Sequence, residues 1–158
     1  MADAPPRICL DLNVFVAAEI AVALGRRDTT PIRLVEACRG GRFDLVISRA
    51  MLDRLTDVLQ RPPLHLGLAL ATERTELIAE LASLPNLIVI GAGVLPVRDV
   101  EDRGVLEAAL AGRAQYLATY NLGDFESGAV RDPVSGDLRI RELSILPPAE
   151  VAERLGLY

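Results

Sequence analysis

The stretch Asp99–Phe125 constrains this chain more than any other. It opens on three acids, Asp99, Glu101 and Asp102, and continues with apolar residues at helical spacing, Val105, Leu106, Ala109 and Leu110, until Gly112. A short apolar run, Tyr116 to Thr119, then stops at Tyr120-Asn121-Leu122-Gly123-Asp124. The unit reads as a helix followed by a strand, with oxygen ligands at the helix N-terminus and at the strand C-terminus. In a parallel sheet, strand C-termini and the loops after them form the ligand crevice. Each acid also has a plainer reading: acids before a helix cap its free N–H groups, and Asn, Asp and Gly favour turns.

The rest of the chain alternates in the same way. Arg7 to Leu12 is a first strand, its Ile8-Cys9-Leu10 run suited to burial on both faces, and it delivers Asp11 at its end. A buried acid is expensive unless paired or bound to a cation. Val14 to Leu24 reads as a helix, residues 25–31 as a polar loop and Ile32 to Arg39 as a second helix. Phe43 to Ile47 is a second strand, and Ser48 is a good N-cap for the helix Arg49 to Gln60, which Pro62-Pro63 ends. Leu64 to Leu84 is a longer helical region, and Leu87 to Ile90 a third strand. Tyr116 to Thr119 is the fourth strand, Ser127 to Asp137 a surface loop or irregular hairpin, Leu143 to Leu146 a fifth strand and Ala149 to Leu155 a last helix. This order predicts an α/β fold, a three-layer α/β/α domain around a mainly parallel sheet of four to five strands. A length of 158 residues suits one domain over 1–158, with its core at about 7–155.

Composition removes several function classes. No apolar run is long enough to span a membrane, and the N-terminus lacks the basic-then-apolar order of a signal peptide, so a cytoplasmic location is expected. Cys9 and Cys38 lie in apolar patterns and read as buried free thiols. His65 is the one histidine, which argues against a His-rich metal site. The first strand is followed by no dinucleotide-type glycine motif, and the chain has no Lys to complete a Walker-type loop. The net charge of −5 does not favour nonspecific nucleic-acid binding, although arginines still form local phosphate forks.

Asp11, Asp102, Asn121 and Asp124 thus stand at element ends that a parallel sheet brings to one edge. Clustered carboxylates without His or Cys suit Mg²⁺ or Mn²⁺, ions that hold a phosphate and activate water. The chemistry points to phosphodiester or phosphoryl transfer. A phosphatase of another α/β family ranks low, because Asn13 stands where a second aspartate is needed.

At these residues the chain resembles the PIN-domain family. The resemblance is carried by Asp11-Leu12-Asn13-Val14 after the first strand and by Ser48 through Val58-Leu59-Gln60-Arg61-Pro62. It continues in Asp102-Arg103-Gly104-Val105-Leu106, in Thr119-Tyr120-Asn121-Leu122-Gly123-Asp124-Phe125 and in the tail Ile145-Leu146-Pro147-Pro148-Ala149-Glu150-Val151. It implies a metal-dependent ribonuclease, similar to VapC-like toxins, with RNA as substrate, an antitoxin protein as partner and room for a homodimer, and no membrane. Asp11, Asp102 and Asp124 would hold the ion, Asn121 would assist, and Asn13, Ser48 and Thr119 would orient the carboxylates. The chain departs from the pattern at two places. Leu12 replaces a small hydroxyl residue, and Arg54 stands where the family has its second acid. Arg54 would oppose a cation if it pointed inward, and is placed to pair with Asp57 or Asp102 or to contact a phosphate. Asp57, one turn along, is the substitute ligand. The competing reading is therefore a PIN-like binding or regulatory module with weakened or lost catalysis.

Overall fold

The computed structural model describes residues 3–60, 79–84, 87–90 and 100–157. The chain order is β1 (Arg7–Leu10), α1 (Leu12–Ala23), α2 (Thr30–Arg39), β2 (Asp44–Ser48), α3 (Arg49–Gln60), β3 (Leu87–Ile90), α4 (Val100–Ala111), β4 (Tyr116–Ala118), β5 (Val130–Arg131), β6 (Leu138–Ile140), β7 (Leu143–Leu146) and α5 (Pro148–Arg154). A 3₁₀ turn, Leu122–Phe125, follows β4, and residues 79–83 are helical. Most of the expected helix over Leu64 to Leu84 lies outside the described residues.

The described strands form one seven-stranded sheet in the order β3-β2-β1-β4-β7-β6-β5. The first five are parallel, as expected; β6 and β5 extend the edge antiparallel. The sheet is therefore larger than the four to five strands expected. The reason is that β5 and β6 have two and three residues, too few for a period-2 pattern to show among Gly and Pro.

β1 lies inside the sheet, between β2 and β4, and Ile8, Cys9 and Leu10 are wholly buried. Cys9 is in register with Val46 and Leu117, so these three share one face. That face meets α4: the Cys9 thiol lies 4.0 Å from the Val105 carbonyl oxygen. Ile8, Leu45 and Tyr116 point the other way, toward α5, whose Arg154 guanidinium lies 5.6 Å from the Tyr116 ring centroid. α2 packs against both α1 and α5 and completes that layer. The three-layer α/β/α arrangement follows. Cys9 and Cys38 are free and buried, and burial pushes the Cys38 thiol up to about 12. Among the described residues no helix is long and apolar enough to cross a membrane.

Gly112 shows how closely α4 sits on the sheet. A Cβ at this position would fall 2.3 Å from Val46 Cγ1 and 3.0 Å from the Ala108 carbonyl oxygen. Val46 is fully buried and β-branched, so it has no free rotamer to adopt. Gly112→Ala is expected to destabilise the fold by about 1–3 kcal/mol, as overpacking does. The check is the midpoint of urea unfolding.

Candidate active site

Asp11 stands where β1 passes into α1. Its backbone N–H donates to the Ala118 carbonyl at 2.9 Å, which carries the β1–β4 ladder one residue further. Its own conformation is extended, φ −63° and ψ 152°, and its Oδ1 accepts from the Leu12 N–H at 2.7 Å as the N-cap of α1. The capping role is therefore real, and it engages one oxygen. Oδ2 accepts from the Thr119 hydroxyl at 2.7 Å.

Thr119 is wholly buried at the end of β4, with its N–H donating to the Leu146 carbonyl of β7 at 3.0 Å. Its oxygen also accepts from the Asn121 backbone N–H at 3.0 Å and from Asn13 Nδ2 at 3.5 Å. A hydroxyl has one proton, and two donors approach the lone pairs, so that proton is directed onto Asp11. The Asn121 backbone N–H thus joins the hydrogen-bond network behind Asp11. It opens the 3₁₀ turn, in which the Asp124 N–H donates to the Asn121 carbonyl at 3.0 Å. Phe125, 2% exposed, anchors the turn in the core and leaves Asp124 on the surface, where its charge acts on Asp11.

Burial holds the Asp11 carboxyl above the ordinary carboxylate range; the hydrogen bonds from Thr119 and Leu12 pull it back, and the charge of Asp124 raises it further. The repulsion between the two acids is thus present, but burial is the larger cause.

The donors here suit a hard divalent cation: they are oxygens, and Asn13 Oδ1 is buried without a hydrogen-bond partner. Among the described residues no third acid, His or Cys joins Asp11 and Asp124 in a group able to hold a metal. Asp102 lies in the first turn of α4, as expected for an acid opening that helix, and its side chain is outside the described part.

The other expected residues divide by role. Ser48, buried at the end of β2, accepts from the Met51 N–H at 3.0 Å and caps α3. Arg54 and Asp57 are both exposed and form an i,i+3 ion pair at 3.3 Å. Of the partners expected for Arg54, Asp57 is one that it has. Exposed pairs contribute roughly 0–1 kcal/mol, so Asp57→Asn, which removes this pair and keeps Arg54, is expected to shift the thermal midpoint only slightly. A larger loss would mean that the Asp57 carboxylate braces more than this pair.

A PIN-domain family model matches residues 7–123, from the start of β1 into the turn that carries Asn121. The chain belongs to the PIN-domain family, whose members are usually nucleases and generally use divalent metals. No curated protein and no solved structure matches the chain.

Proposed function

We propose that this chain is a divalent-metal-dependent endoribonuclease that hydrolyses RNA phosphodiester bonds, with its site at the C-terminal edge of β1 and β4. The observation that carries this reading is the Asp11–Thr119 contact at 2.7 Å: a buried carboxylate is held between two strand ends, with the charge of a second acid, Asp124, acting on it. A carboxylate kept in place against its own burial is characteristic of a working site. Asp11, Asp102 and Asp124 would hold Mg²⁺ or Mn²⁺, with Asn121 assisting. Such an ion neutralises charge on the scissile phosphate and lowers the pKa of the attacking water.

The chain's own residues do the positioning. Thr119 fixes the Asp11 carboxylate by its proton, as groups behind a metal ligand do. Leu12 N–H fixes the other oxygen, and the 3₁₀ turn sets the distance of Asp124 from Asp11. Arg54 bears on the competing reading of weakened catalysis. Its guanidinium is exposed and pairs with Asp57, so at least part of its charge is met on the surface of α3.

We extend the reading to the toxin of a toxin–antitoxin pair, on the resemblance of the sequence motifs alone to VapC-like toxins. Incubation of a mixed RNA pool with Mn²⁺ tests the core of the proposal: the wild type is expected to cleave it and Asp11→Asn to leave it intact. Growth arrest on expression of the wild type, and not of the variant, tests the toxin role.

A further inference from the structure

The opposite edge of the sheet carries a second feature. A cavity of about 390 Å³ opens between the C-terminal end of α4 and the β6–β7 turn, lined by Ala109, Leu110, Arg113, Ala114, Arg141, Glu142 and Leu143. Arg113 and Arg141 are exposed, and among the described residues neither has a side-chain hydrogen bond or ion pair. Glu142 is the one acid in the lining, so cations outnumber it two to one. Arg139 steadies the turn by donating to the Glu142 carbonyl at 3.2 Å, and Arg7 donates to the Gly112 carbonyl at 3.2 Å. The start of β1, the approach to β4 and the turn before β7 therefore each present an arginine at one edge of a chain whose net charge is −5.

Both cavity arginines hold left-handed backbone, φ 54° at Arg113 and 55° at Arg141, and they are the described non-glycine residues that do so. Three other helices of this chain end with glycine at the matching position: Gly25, Gly41 and Gly156, with φ of 74°, 72° and 70°. In each, as at Arg113 and Ala114, the next residue's N–H returns to a carbonyl five residues back, which closes the helix end. α4 places Arg where its neighbours place Gly. The helix dipole favours a cation there, but it does not account for Arg141, which lies on a hairpin. A strained non-glycine residue is the kind of position where a side chain is kept for what it binds.

We propose that this cavity is a second phosphate-binding site, in which the Arg113 and Arg141 guanidiniums grip a backbone phosphate of RNA. Guanidinium forks match phosphate oxygens two to one, and the cavity is large enough for a nucleotide-sized group. β7 has four residues, so the two edges of the sheet lie on the order of 13 Å apart, a span that one RNA strand crosses. The choice of RNA over a free anion rests on the nuclease reading.

The substitutions Arg113→Gly and Arg141→Gly test it cleanly, because glycine suits both backbone conformations and the fold should not suffer. Binding of a labelled single-stranded RNA is measured in EDTA, with Asp11→Asn as the common background, so it does not depend on cleavage. The double variant is expected to bind at least tenfold more weakly. Its log–log salt slope should fall by about 0.7, the value for one phosphate of a single strand that is no longer neutralised. Its thermal midpoint should be unchanged or higher. Inorganic phosphate serves as the second probe. If phosphate stabilises the parent and not the double variant while RNA affinity is equal in both, the cavity holds a free anion and the RNA assignment is overturned. If neither ligand distinguishes the two proteins, there is no phosphate site. Absence of cleavage by the wild type, with the RNA binding difference intact, would count against the nuclease reading alone.

Discussion

Asp11→Asn is expected to lower RNA cleavage on the order of 10²–10³-fold, the scale seen when one group that stabilises reaction charge is removed. The same variant, free of metal, is expected to be at least as stable as the wild type. The reason lies in what raises the Asp11 pKa. Burial of the charge is the largest cause, larger than the compensating hydrogen bonds from Thr119 and Leu12. A carboxyl whose pKa is raised on folding binds its proton more tightly in the native state. Its contribution to stability is therefore present at low pH and is lost as pH rises through the folded pKa. The amide carries no charge to bury and keeps an oxygen for the Leu12 N–H; its NH₂ takes the Thr119 lone pair that Asn13 Nδ2 holds only at 3.5 Å, and the Thr119 hydroxyl turns its proton away. The stability difference between variant and wild type should then widen with rising pH in EDTA and narrow when Mg²⁺ is added, since an ion that binds only the native wild type raises its midpoint. Cleavage retained by the variant would remove Asp11 from the reaction. A collapse of its midpoint would show instead that lost cleavage reports lost folding.

The parallel half of the fold was legible because each of its elements repeats one signal. β3, β7 and α3 stand where the apolar runs and the Ser48 cap place them, at Leu87–Ile90, Leu143–Leu146 and Arg49–Gln60. Short apolar runs between Gly and Pro boundaries mark where such strands begin and end when both faces are buried. The antiparallel extension was only half legible. Residues 127–137 carry turn chemistry throughout: Asp132 accepts from the Val134 and Ser135 N–H groups at 2.8 and 3.0 Å, which looks in sequence like any loop. The pairing of β5 with β6 rests on strands too short to leave a pattern.

In the candidate site, the sequence offered residues at element ends but could not assign atoms. It placed Asp11 and Thr119 at strand ends; that they meet at 2.7 Å follows from β1 and β4 being neighbours, which is a fact of topology. Asn121 was expected to assist the ion, and the contact its backbone N–H makes to Thr119 could not be read from the sequence. Arg113 and Arg141 carried no sequence signal. One reads as a cation after a helix and the other as a surface charge, and only the folded chain brings them to one cavity.

Asp137 escaped the sequence reading altogether, and outside the site it supports a stability effect as large as that expected of Gly112→Ala. It lies at the end of the loop, 7% exposed, and Arg154 of α5 grips it with two bonds of 2.7 Å each. The same guanidinium covers the Tyr116 ring, so one arginine ties the hairpin, the last helix and β4 together. Asp137→Asn keeps the shape and removes the charge. It is expected to destabilise the fold by about 1–3 kcal/mol, because the two-pronged charge-assisted pair becomes a weaker bond and a nearly buried group is left underpaired. Arg154 holds the Asp137 carboxyl below the ordinary carboxylate range. The pair's contribution is thus complete above the unfolded value, about 3.9, and is lost as pH falls through the lower folded one. Asp132 is also held low, by the Ser135 and Val134 N–H groups and Arg139, and it loses its stabilisation in the same acid range. The informative quantity is therefore the difference between wild type and Asp137→Asn in urea unfolding. It should be constant from neutral pH to about 5 and shrink below about 4 as the wild type takes up the proton. A difference independent of pH down to about 2 would mean that Asp137 acts through its shape and not through its charge.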